Sequence, residues 1–326
     1  MSARFHVVEG GPQTTVQDDG RPGLLALGVA RSGALDPLSF RLANRIAGND
    51  ADIAALEIRS PGPVLRLEGG TARVALGGTY AALKVERDGV VQEWPAWRAV
   101  DLIDGDVISI APFADTAIAY LAVTGGLDVP EHFGSRSTFL RGGFGGLDGK
   151  ALQNGGVLKL VASAPPETPC LTLLRPPVFT AAPVLRVLPG PQADYFTGQA
   201  LADFYGKPFT ISREFDRMGM RLEGVKLDHS GSADIVSDAT VPGALQVPGS
   251  GQPILLLNDC QTTGGYPKIA IVITADLPLA ARLLPGSQIR FRKVTMTEAE
   301  EARADADHRF RSIANTIVPV RPSVTL

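Results

Sequence analysis

Short apolar runs recur along the chain, separated by glycine, proline and polar turns. Residues 73–76 (RVAL), 107–110 (VISI), 117–123 (AIAYLAV), 158–161 (LKLV) and 184–188 (VLRVL) are the clearest, and each has the length and content of a strand rather than a helix. The stretch 246–268, QVPGSGQPILLLNDCQTTGGYPK, adds a strand at 254–257, a polar glycine-rich turn at 261–268, and a further strand at 269–273. Many short strands with frequent turns predict barrels or sandwiches. Helical periodicity is sparse. Leu38, Leu42 and Ile46 share one helical face, behind Asp36 as N-cap and Pro37 in the first turn. Residues 194–205 read as a second short helix. Thr297-x-x-Glu300 reads as a capping box opening a charged helix to about residue 317.

A proline-rich segment, 164–183, lacks strand periodicity and reads as a linker. It divides the chain into a β lobe at 1–163, a second β lobe at 184–296, and a C-terminal helix and tail at 297–326. A length of 326 residues suits two domains, and 44% apolar content suits real cores. A net charge of −3, with no basic run, argues against a nucleic-acid binder. No apolar stretch approaches the roughly 20 residues that span a bilayer. The opening residues run into strand-like sequence rather than a secretory leader. Two cysteines without C-x-x-C spacing fit reduced thiols in a cytoplasmic protein. The four histidines show no metal-ligand spacing, and neither a phosphate loop nor a G-x-S-x-G elbow occurs.

Four polar clusters remain as candidate chemistry. The turn 261–268 combines neutral donors and acceptors (Gln261, Thr262, Thr263), an amphipathic ring (Tyr266) and a cation (Lys268), with Pro267 stiffening the backbone beside it. Such a set suits a planar amide next to an anionic group, although spacing alone equally describes a hairpin connection. The N-terminal cluster places Asp18, Arg21 and Asp36 near Asn44, as a ligand-orienting network or a plain turn. Residues 133–146 hold Arg136 and Arg141 among glycines, an anion nest or a loop at a barrel end. Residues 213–224 carry Arg213, Arg217 and Arg221 and read as an irregular loop.

Together these pieces resemble the allophanate hydrolase subunit 2 family, also described as the biotin-dependent carboxyltransferase family. The matching segments include TTVQDDGRPG (14–23), SGALDPLSFRLANRIAGN (32–49), YLAVTGGLDVP (120–130), GSRST (134–138), DRMGMRLEG (216–224), PGALQVPGSGQP (242–253) and QTTGGYPKIA (261–270). Met220 and Cys260 depart from it, where members often carry an aromatic and a basic residue. The resemblance implies a mainly β fold of two tandem cyclophilin-like β-barrel lobes with a few short helices and a C-terminal helix. It implies the C subunit of a bacterial ATP-dependent 5-oxoprolinase, working with two partner chains, one KipI-like and one LamB/YcsF-like. Two alternatives stay open. One is a carboxyltransferase subunit moving carboxyl from carboxybiotin to a small amide; the other is a regulator that binds a KipI-like kinase inhibitor. No biotin-attachment sequence is present, so ATP or carboxybiotin is expected to arrive through partners. Lys268 and Arg217 are the expected anion-binding residues, and Asp36 with Asn44 is expected to orient the opposite wall. Gln246, Gln261, Thr262 and Thr263 are expected to bind the amide, Tyr266 to pack over it, and Arg136 to add charge.

Overall fold

The structure, a computed structural model, describes residues 3–162 and 167–320. Residues 164–166 of the expected linker and 321–326 of the expected tail therefore lie outside the described residues. The chain is mainly β and divides into two compact units. Among the described residues the first comprises 3–20, 32–162, 167–177 and 309–320, the second 21–31 and 178–308.

The first unit holds two antiparallel sheets. One runs in the order Val157–Lys159, Arg4–Glu9, Val64–Glu68, Val107–Ile110, Leu83–Arg87 and Val90–Trp94. The other runs Thr14–Gln17, Ala55–Ile58, Ala119–Val123, Ala72–Gly77 and Ala99–Leu102. Alternate residues of both sheets form one core, including Phe5, Leu65 and Leu67 from the first and Leu56, Val74 and Leu121 from the second. All five residues of Ala119–Val123 are buried, because helix Pro37–Ala47 covers the other face of this central strand. That helix starts as its sequence demands: the Asp36 carboxylate accepts from the Ser39 N–H at 3.2 Å, and Pro37 occupies the first turn.

The second unit is a closed barrel of seven strands. Their order is Val184–Pro189, Lys268–Val272, Ala244–Gln246, Ile254–Leu256, Gly219–Glu223, Phe209–Phe215 and Gln288–Lys293. Gln288–Lys293 returns to pair in parallel with Val184–Pro189, and this closure removes the exposed edges. Inward side chains such as Val187, Ile211, Leu222, Leu245, Leu255 and Ile289 fill the interior. Helix Gly198–Gly206, capped by Thr197, sets Phe204 against Phe291 with ring centroids 4.6 Å apart.

Three expectations need correction. The capping box lies two residues earlier than the sequence suggested. The Thr295 hydroxyl accepts from the Glu298 N–H at 3.2 Å, while the Glu298 carboxylate accepts from the Thr295 N–H at 2.7 Å. The helix runs Met296–Ala314 and gives way to strand Ile317–Pro319, which pairs with Leu171–Leu173 inside the stretch read as linker. Residues 213–224 are not an irregular loop but two barrel strands joined by a turn, because Phe209/Ile211 and Met220/Leu222 carry strand alternation into the barrel core. No described helix is long and apolar enough to cross a membrane.

Candidate functional site

At one side of the barrel a cleft of about 470 Å³ opens between the Phe209–Phe215 and Gly219–Glu223 hairpin and the turn that follows Ile254–Leu256. This volume is within the range of small-molecule sites. The hairpin is irregular where it meets the cleft. Ile211 pairs with Leu222 and Phe215 with Met220, so residues 212–214 stand opposite Arg221 alone. A regular strand would send Arg213 and Glu214 to opposite faces. The bulge instead lets Arg213, Glu214 and Phe215, three consecutive residues, all line the cleft. The turn beyond is held by Asp216 Oδ1, which accepts from the N–H groups of Met218 at 2.8 Å and Gly219 at 3.1 Å.

Arg217 leaves this turn in the opposite sense. It is buried, and its Nε and second terminal nitrogen donate to both Asp259 oxygens at 2.9 and 3.2 Å. Asp259 N–H in turn donates to the Arg217 carbonyl, and Leu257 N–H to that of Met218. The pair therefore staples the cleft hairpin to the turn that carries Gln261.

The amide wall is built by Gln246 and Gln261. Gln246 is 1% exposed, and its Oε1 accepts from Gln261 Nε2 at 3.1 Å. Its Nε2 has no hydrogen-bond partner among the described residues. The Gln261 and Thr262 carbonyls accept from the Thr240 hydroxyl and Thr240 N–H. Gly264 packs closely here: a Cβ at that position would stand 2.4 Å from Gln246 Nε2, so a larger residue would have to displace the Gln246 amide. Tyr266 is 40% exposed and lines the same cleft.

Lys268 is buried beside this wall rather than in it. Its Nζ donates to Asp238 Oδ2 at 2.7 Å and to the Ala239 carbonyl at 3.0 Å. Asp238 and Ala239 are positioned by their short ladder with Thr263–Gly264. The Lys268 hydrogen bond, followed by that of the Ala239 N–H, holds the Asp238 carboxyl below the ordinary carboxylate range.

Of the residues singled out from sequence, the structure brings Gln246, Gln261 and Tyr266 together in one cleft. Thr262 and Thr263 shape the adjoining turn. Asp36, Asn44 and Arg136 belong to the first unit. Asp36 caps its helix, and its N–H donates to the Tyr120 hydroxyl at 2.8 Å. That hydroxyl donates to Glu57 at 2.7 Å, and burial, with the nearby Glu57 charge, raises its pKa well above the ordinary tyrosine value. Asn44 ties the helix to its following turn through the Ile53 carbonyl and Asn49. Arg136 is engaged by Glu131 and the Val129 carbonyl, and its N–H by Asp18.

Arg213 was among the arginines marked out in the sequence, on what read as an irregular loop, whereas no role was expected of Glu214; both line the cleft. The alternation flanking D-R-M-G was the signal for a hairpin there. Asp238 and Thr240 left no signal, since they reach the site across the sequence through the barrel. Cys260 is buried, and burial with the Asp259 charge pushes its thiol up to about 12. Cys260 is therefore expected to resist iodoacetamide in the folded protein at about pH 8 and to alkylate once unfolded. Mass spectrometry of the digest reads this directly; a native adduct would contradict it.

The chain is mainly β, with a closed barrel and, at its side, a polar-lined cleft of about 470 Å³. Its sequence matches the profile described as "Carboxyltransferase domain, subdomain A and B" over residues 27–293. The chain belongs to this family, as its motifs implied. It is 35% identical to the C subunit of 5-oxoprolinase from Escherichia coli (strain K12), across 94% of this chain and 97% of that one. It is 32% identical to the urea amidolyase of Lachancea kluyveri, across 95% of this chain but 18% of that protein. The crystal structure of Kluyveromyces lactis urea carboxylase superposes with a TM-score of 0.86 at 28% identity, covering 98% of this chain and 30% of that one.

Proposed function

We propose that this chain is the C subunit of an ATP-dependent 5-oxoprolinase, which opens the lactam of 5-oxoproline to glutamate. The observation that carries the reading is the end-to-end correspondence with the E. coli protein. The cleft supports it chemically. It offers a fixed amide pair, a tyrosine and an arginine to a small planar amide, and such preoriented donors can polarise a carbonyl. The chain carries no phosphate-loop motif, so ATP is assigned to the two partner chains, one KipI-like and one LamB/YcsF-like. Carboxyl transfer from carboxybiotin to urea or a related amide is the second reading, favoured by the profile match and by the likeness to urea carboxylase.

Reconstitution with the two partner chains tests the proposal. Glutamate is expected to form from 5-oxoproline only when ATP and all three chains are present. Turnover that persists without this chain would refute the reading. A stable complex inactive on 5-oxoproline but active with a carboxybiotin carrier and urea would replace it with the second.

A further inference from the structure

Lys268 and Arg217, the cations that sequence reasoning assigned to an anionic group, are both buried and already paired, with Asp238 and Asp259. In the cleft wall itself, Arg221 pairs with Glu214, and Asp216 is turned toward the amides of its own turn. Arg213 differs. It is exposed, it lines the cleft, and no described residue hydrogen-bonds or ion-pairs with its guanidinium. The bulge places it there. On the same cleft, Gln246 presents a buried amide whose Oε1 is engaged by Gln261 and whose Nε2 is unsatisfied. A buried polar group without a partner is a ligand-binding signal when it borders a cleft of suitable size.

We propose that Arg213 receives the carboxylate of a small carboxylated amide, while Gln246, held by Gln261, meets its amide group. This deepens the preceding reading and rests on it for the choice of 5-oxoproline. The chemistry is specific. A guanidinium matches a carboxylate in a planar two-point contact. Urea has no carboxylate, so an arginine anchor favours an acidic amide over it.

The experiment compares two probes of the same ring, 5-oxoproline and 2-pyrrolidinone, which lacks the carboxylate. Binding of each is measured by calorimetry on the full chain in complex with its partner chains, beside glutamate formation. The wild-type complex is expected to prefer the acid by about 10- to 100-fold, the size of a charge-assisted hydrogen bond. Arg213→Gln is expected to abolish that preference by weakening the acid alone, Arg213→Lys to restore part of it, and Gln246→Leu to weaken both probes. Arg213 is exposed, so its two variants are expected to fold. A preference unchanged in Arg213→Gln overturns the anchor, as does a wild-type complex that binds both probes alike or neither. Turnover with an indifferent Arg213 sinks the anchor and leaves the 5-oxoprolinase reading standing. An Arg213-dependent acid preference without turnover does the reverse.

Discussion

Arg217→Leu is expected to destabilise the barrel unit by about 3–5 kcal/mol, because it strands the buried Asp259 carboxylate without its partner. Both side chains of the pair are under 5% exposed, at 4% and 3%, so water cannot replace the lost hydrogen bonds. Urea unfolding should show a lower midpoint with an unchanged slope. The double variant Arg217→Leu, Asp259→Leu should recover much of the loss, since no charge is then left buried. Activity should not recover with it. The pair fixes the turn at 216–218, which belongs to the cleft wall, against the turn leading to Gln261. Equal stability of Arg217→Leu and the native protein would show that Asp259 finds other compensation.

The second large effect lies in the apolar part of the same unit. Phe204 is fully buried, stacked on Phe291 and 6.1 Å from Phe209 by ring centroids. Phe204→Ala should cost about 3–5 kcal/mol, from lost burial together with the cavity that remains. Phe204 does not line the cleft, so turnover per folded molecule at low temperature should stay near the native value. Comparing the two variants at matched destabilisation separates loss of folded protein from loss of site geometry. A Phe204→Ala protein that is fully folded but inactive would show that the cleft depends on the far helix.

Local pattern made much of the fold legible. The apolar run at 107–110 is a strand with those same bounds, and the Asp36-Pro37 signal opens a helix with Asp36 as its cap. These features depend on neighbours in sequence. Barrel closure does not: the parallel pairing of Gln288–Lys293 with Val184–Pro189 joins segments about a hundred residues apart, and no local period encodes it. The site divides along the same line. The roles of Gln246, Gln261 and Tyr266 were expectations from the family resemblance, while the polar turn that carries the last two was legible between two apolar runs. The engagement of Lys268 by Asp238 was not, because it depends on a two-residue ladder between distant segments. The bulge at 212–214 was hidden for a different reason. An extra pair of residues in one strand looks, in sequence, like a break in alternation, and so like a loop.

The route of the chain between its two units has a consequence for synthesis and dissection. Residues 309–320 group with the first unit, where Ile317–Pro319 completes the pairing of Leu171–Leu173, and residues 21–31 group with the second. The first unit therefore cannot be finished on the ribosome until the last strand has emerged, long after its two sheets have been made. Nor can the chain be cut near residue 180 into two self-sufficient fragments. Each half would lack a piece that the other carries, so fragments would fold well only when co-expressed or joined in a rearranged order.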